Sequence, residues 1–352
     1  RMHEEGKAEG KLASKKEDTL MLFKSKFPQE DNELLDGYQM SFIETGKSGF
    51  SFSKINRYLV NRIKNKIKEK NLPIVFNKFR KEYLEIDKKT DHYDFCVIGS
   101  DEVFNCLNAG EWGFTSQLFG NVPEADNIIT YAASCGATTY DKLPSKVDKK
   151  IRQTFKKIIG FSVRDKNTRE FVSHLVNCDI SENIDPVLLY NYDNEVEAAK
   201  YVNVPKNYCI IYAYSNRFQK KEEYKAILSF CKRNGLTPIA LCGQQFWCSK
   251  FITCGPFECL KLFKNADFVI TDTFHGTIFS SKYANKFAVV IRDSNKNKLS
   301  DLVKRIGISD HVLNNISDLD RLYNMKKDQN KINKFLADEQ AKSIEYLRKY
   351  LG

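Results

Sequence analysis

After Lys89 the chain is written in short apolar runs, each closing on small or polar residues, and this grammar limits what it can fold into. The runs are Tyr93–Gly99, Ile128–Ser134, Gly160–Arg164 and Ile184–Leu189, then Tyr208–Tyr214, Thr237–Cys242, Asp267–Asp272 and Phe287–Arg292. Helical patterns separate several of them: Val147–Ile158, Lys166–Val176, Glu222–Arg233, Pro256–Lys264 and Thr277–Ala284. Strands of this length alternating with helices predict parallel α/β sheets. Residues 191–206, with Pro205 and Asn- and Asp-rich dipeptides, mark the boundary between two such sheets. The expected organisation is a poorly readable N-terminal segment over 1–50, an α/β domain over 51–195, and a second over 196–352. A last helix, Ile332–Leu351, packs back across one domain.

Composition narrows the function. The 352 residues carry a formal charge of +11, with 42% hydrophobic and 12% aromatic residues, enough to build a sizeable core. The surplus is local: between Lys54 and Lys89 there are twelve Lys/Arg against four Asp/Glu. A basic coat for nucleic acid is therefore not expected. In that region Ile55, Leu59, Ile63 and Ile67 fall on one helical face, Pro73 ends the helix, and a second basic segment follows from Phe76 to Tyr83. The apolar face can pack on the first sheet or rest on an anionic membrane surface. No apolar run approaches the ~20 residues needed to span a bilayer, and Arg1–Lys16 has no hydrophobic signal core. The expectation is a cytoplasmic protein, with peripheral contact at the inner face of the membrane as the alternative use of 54–89.

The ten cysteines are too sparse for a disulfide scaffold, and Cys96, Cys209 and Cys231 lie inside apolar runs as buried thiols. Cys242, Cys248, Cys254 and Cys259 cluster in sequence, but only the last pair has knuckle-like zinc spacing. No metal and no cofactor is expected.

In parallel sheets, ligands sit beyond the carboxyl ends of the strands. That rule singles out a small set of residues. The strongest signal is Asp267-Phe-Val-Ile-Thr-Asp-Thr-Phe-His-Gly-Thr277, a strand followed by a helix expected to begin just after His275 and Gly276. His275 there can bind phosphate or transfer a proton, Asp272 can orient it, and the N–H groups of Gly276 and Thr277 can receive an anion. The competing reading is a buried histidine that caps a helix. Arg164, Arg217 and Arg292 each follow a strand, and convergent guanidinium forks suit a small substrate carrying carboxylate and phosphate. Arg164-Asp165 and Arg292-Asp293 can also be self-satisfied pairs. Ser100, Asp101 and Ser134 offer hydroxyls and a carboxylate for sugar hydroxyls, or else simple turn chemistry. Neither dinucleotide-binding nor P-loop glycine patterns occur, nor a nucleophile elbow.

The series Asp94-Phe-Cys-Val-Ile-Gly-Ser-Asp101, Tyr131-Ala-Ala-Ser-Cys-Gly136, Ser162-Val-Arg-Asp165, Asp185-Pro-Val-Leu-Leu189 and Ile270-Thr-Asp-Thr-Phe-His-Gly276 resembles the bacterial polysaccharide pyruvyl transferase family over roughly residues 52–310. The resemblance implies two Rossmann-like domains with parallel sheets in a GT-B-like arrangement, with a cleft between them. It implies transfer of a pyruvyl group from phosphoenolpyruvate to two hydroxyls of a sugar, on a cell-surface exopolysaccharide or its lipid-linked precursor, as a ketal. His275 would be the acid/base, Arg164, Arg217, Arg292, Gly276 and Thr277 the donor site, and Ser100, Asp101 and Ser134 the acceptor site. A glycosyltransferase using a nucleotide sugar and a non-catalytic glycan-binding relative are the rival readings. Glu102 and Phe104 stand where relatives often have Gln and Trp, and the strand that opens the family is not recognisable in Arg1–Asp36.

Overall fold

A computed structural model describes residues 71–84, 91–107, 115–215 and 217–352. The expected readings for 1–50 and for Ile55, Leu59, Ile63 and Ile67 lie outside the described residues. Two wholly parallel sheets organise the rest. The first has four strands in sequential order: β1 (Tyr93–Ile98), β2 (Ala125–Thr130), β3 (Ile158–Val163) and β4 (Ile180–Glu182). The second has five: β5 (Tyr208–Ala213), β6 (Thr237–Cys242), β7 (Lys250–Phe251), β8 (Phe268–Thr271) and β9 (Phe287–Val289). Their spatial order is β7-β6-β5-β8-β9. The α/β architecture expected from the alternating runs is present.

Alternation along β5 explains why its run is apolar throughout. Tyr208 and Ile210 join one core layer, while Cys209, Ile211 and Ala213 join the layer on the other face. The cysteines divide the same way: Cys248 belongs to the second layer, whereas Cys254 and Cys259 pack on the first. The sheet thus separates members of the cysteine run, and all ten thiols are free.

The helices that matter for the site are α1 (Ser145–Phe155), α2 (Lys166–Ser173), α3 (Pro186–Leu189), α4 (Asp193–Ala198), α5 (Lys221–Arg233), α6 (Pro256–Asn265), α7 (Phe274–Tyr283), α8 (Lys296–Ile306), α9 (Leu319–Asn324) and α10 (Gln329–Leu351). Two expectations need correction. The run Ile184–Leu189 is not a strand. Asp185 accepts a hydrogen bond from the Val187 N–H at 3.0 Å, and Pro186 at the first helical position has no N–H to give a ladder, so the segment turns into α3. The helix expected after Gly276 instead starts at Phe274, capped by Thr273, whose hydroxyl accepts from the Gly276 N–H at 2.9 Å.

Helix α10 joins the two halves. Ile332, Phe335 and Leu336 pack into the core of the second sheet. About three to four turns further on, Tyr346, Leu347 and Tyr350 cover Ile129 and Tyr131 of the first. The Tyr346 hydroxyl donates to the Thr130 carbonyl at 2.8 Å, and the Ser343 hydroxyl accepts from the Ile184 N–H at 3.3 Å. Residues 71–83 are helical and include Pro73. Phe79 and Tyr83 lie 5.3 and 5.2 Å from the Phe257 ring of α6, so the described part of the basic region packs beside the second sheet.

Candidate active site

The carboxyl ends of both sheets open on one cleft of about 380 Å³. In the second sheet this is also the topological switch point, since β6 and β8 flank β5 on opposite sides. Asp101, Glu102 and Arg164 line the cleft from the first sheet, facing Arg217, His275 and Lys298 from the second.

His275 is the second residue of α7, and its side chain is 40% exposed. The carboxylate beside it is not Asp272. Nε2 lies 3.8 Å from Oδ2 of Asp185, which follows β4 of the first sheet. Asp272 instead accepts from Arg292 Nε at 3.1 Å and lies 3.9 Å from Arg217 Nε. Burial lifts the Asp272 pKa above the ordinary carboxylate range, although both arginines pull it down.

The residues expected at the donor site lie in different surroundings. Arg164 is buried under the site. Nη1 donates to Asp185 Oδ2 at 3.1 Å and to Ser100 Oγ at 3.2 Å, its guanidinium lies 4.4 Å from the Phe274 ring centroid, and Nε has no partner among the described residues. Arg217 lines the cleft, 27% exposed, and donates to Ser294 Oγ at 2.9 Å. Arg292 does not line it. Its charge is held between Asp272 and Glu223, 2.7 Å away, over the Phe218 ring. The N–H groups of Gly276 and Thr277 are both taken by Thr273: its hydroxyl accepts from Gly276 and its carbonyl from Thr277 at 3.1 Å. Two earlier N–H groups of α7, those of Phe274 and His275, remain without partners among the described residues.

On the acceptor side, Asp101 is exposed at the end of β1, in the left-handed region at φ 83°, and 3.9 Å from Arg164 Nη2. Ser100 is spent inward on Asp185 at 3.1 Å. Ser134 is wholly buried and donates to Asp165 at 2.8 Å, so it does not face the cleft. Asp165 in turn caps α2.

Local reading of the sequence gives no site role to Lys298, Asn105 and Asp185. Lys298, in the first turn of α8, donates across the cleft to Glu102 Oε1. Asn105 Nδ2 donates to the other Glu102 oxygen at 2.7 Å. Burial alone would raise the Glu102 pKa, but Lys298, Asn105 and Arg164 bring it below the usual range. Gly136, at φ 58°, lies directly under that carboxylate, where a Cβ would overlap it. Asp185 is the third. Its Asp-Pro pair signals a helix start, but nothing local in the sequence points to Arg164 as its partner.

A model of the polysaccharide pyruvyl transferase family matches residues 36–294, which include β1 to β9 and the His275 turn. The chain belongs to the polysaccharide pyruvyl transferase family. It is accordingly a transferase acting on polysaccharide. A search of curated proteins returns no match. Among solved structures, one titled "OtsA apo structure" is similar at 11% identity, covering 85% of this chain and 76% of that one, with a TM-score of 0.40. No described helix is long and apolar enough to cross a membrane.

Proposed function

We propose that this family member transfers a pyruvyl group from phosphoenolpyruvate to two hydroxyls of one sugar, on a polysaccharide or its lipid-linked precursor, and closes a cyclic ketal. The observation that carries the reading is the meeting of His275, Arg217 and buried Arg164 at one strand-end cleft, in a chain of this family. The donor bears a carboxylate and a phosphate. The partly exposed Arg217 fork and the Phe274 and His275 N–H groups, without partners among the described residues, would supply directional donors for two anions, with the Arg164 charge beneath them.

Protonation of the methylene carbon by His275 makes C2 electrophilic. The first hydroxyl adds to C2 and gives up its proton, the C2–O bond to phosphorus breaks, and inorganic phosphate leaves. The second hydroxyl then adds and loses its proton, closing the ketal. Two hydroxyl protons are lost; one is matched by the new methyl hydrogen and one leaves on phosphate. Asp101 and Glu102 line the opposite wall, where sugar hydroxyls would donate to them. The reaction so read is cytoplasmic, on the side of the cell that holds the donor.

Incubation with phosphoenolpyruvate and candidate saccharides tests the reading through phosphate release and gain of one pyruvyl mass. His275→Ala lowers kcat by roughly 10²–10⁴-fold while the melting curve is unchanged. Stabilisation by nucleotide sugars and none by phosphoenolpyruvate in a thermal-shift series would refute it.

A further inference from the structure

Of the carboxylates around the cleft, Asp185 is the one that lies beside His275, and it is held rigidly. Its Oδ1 accepts the Val187 N–H at 3.0 Å, and its Oδ2 accepts from Ser100 Oγ and Arg164 Nη1, both at 3.1 Å. Its side chain is 3% exposed. Three donors from three chain segments therefore fix one buried anion. The side chain of His275, in contrast, has no hydrogen bond among the described residues: Nε2 stands 3.8 Å from Asp185 Oδ2, about 0.6 Å beyond hydrogen-bond reach. The ring lies 5.7 Å from the Phe274 ring, edge to face, and 6.2 Å from the Phe279 ring.

We infer that Asp185 is the positioning residue of His275: it takes the Nε2–H and leaves Nδ1 as the atom that handles the substrate proton. In an imidazole, the hydrogen bond made by one nitrogen decides which nitrogen is free for chemistry. A fixed carboxylate on the Nε2 side selects the Nε2–H form of the neutral ring and steadies the charged ring once it holds two protons. Asp185 enters from the half that carries the first sheet, and His275 belongs to the second. The catalytic histidine is thus aligned by the opposite wall of the cleft, through a helix cap that the first sheet holds in place. The same carboxylate anchors Arg164, so the anion-binding and proton-handling groups share one reference point. This inference rests on the proposed proton transfer by His275.

Two measurements test it. In the wild-type protein, nitrogen-15 correlation spectra of the histidine rings, with the His275 signals assigned by their loss in His275→Ala, show the Nε2–H form of the neutral ring. A predominant Nδ1–H form overturns the inference, and this reading needs neither a turnover assay nor a folded Asp185 variant. The second is a double-mutant cycle on phosphate release from phosphoenolpyruvate. Asp185→Asn lowers kcat by about tenfold or more in the wild-type background but by less than about twofold in His275→Ala, because the partner it serves is already gone. Equal losses in both backgrounds mean Asp185 acts on stability or Arg164 alone, and the inference falls. Inert wild-type protein would refute the phosphoenolpyruvate reading, and the spectra would still decide the role of Asp185.

Discussion

Gly276 follows His275, and its reason for being glycine is packing. A Cβ built there overlaps Thr271 Oγ1 and comes within 2.7 Å of Thr273 Oγ1 and Tyr212 Cδ1. None of the three retreats cheaply. Thr271 Oγ1 donates to the Tyr212 carbonyl at 2.8 Å, and Thr273 Oγ1 is the cap of α7. The Tyr212 ring is wedged against Phe263 and Phe279 at 5.3 and 5.8 Å. Overpacking costs about 1–3 kcal/mol, and displacing the cap costs about 1 kcal/mol more. Alanine's better helix propensity returns about 1 kcal/mol. Gly276→Ala is therefore expected to destabilise by about 1–3 kcal/mol, read as a lower urea midpoint at unchanged slope. The sign carries the test. A variant as stable as wild type, or more so, would show that the helix does not press on the strands there. If it also lost phosphoenolpyruvate binding, the glycine N–H would have to face ligand, contrary to its hydrogen bond with Thr273.

Two further outcomes follow from buried charge. Arg164→Met strips the buried Asp185 of its counter-charge and is expected to cost about 3–5 kcal/mol in denaturant unfolding, partly recovered when Asp185→Asn is added. A loss under about 1 kcal/mol would mean that Ser100 and the α3 cap alone support the carboxylate. Lys282 donates to the Val187 and Tyr190 carbonyls, and burial brings its pKa down to about 8, against about 10.4 for an unfolded lysine. Between those values the unfolded chain binds more protons, so the contribution of Lys282 makes stability rise with pH from about 8 to about 10.4. Lys282→Met should flatten that rise relative to wild type in urea titrations at pH 8 and pH 10, and identical slopes would contradict it.

The sheets were legible because their runs are bounded locally: β5, β6 and β8 fall within or at the edges of the apolar stretches that predict them. Ile184–Leu189 misled because an apolar count does not weigh Asp185-Pro186, which starts a helical turn at that point. The site was legible as a location, since strand ends can be read from sequence. The partners were not. Arg164 and Asp185 are 21 residues apart, Glu102 and Lys298 are 196 apart, and no local pattern records either pair. Asp272 was the natural neighbour for His275 by sequence, three residues away, yet the turn sends its carboxylate toward Arg292. Ser134 reads as a ligand hydroxyl for the same reason; only the fold shows it turned inward to Asp165.

The layout of α10 also bears on the order in which the molecule is made. The strands of the first sheet leave the ribosome early, but the residues that cover Ile129 and Tyr131 are Tyr346, Leu347 and Tyr350. Until those emerge, one face of the first sheet stays open to water and to other nascent chains. Asn183, next to Asp185, likewise waits for Ser343, to which its amide donates at 3.3 Å. The sheet translated first is thus covered last.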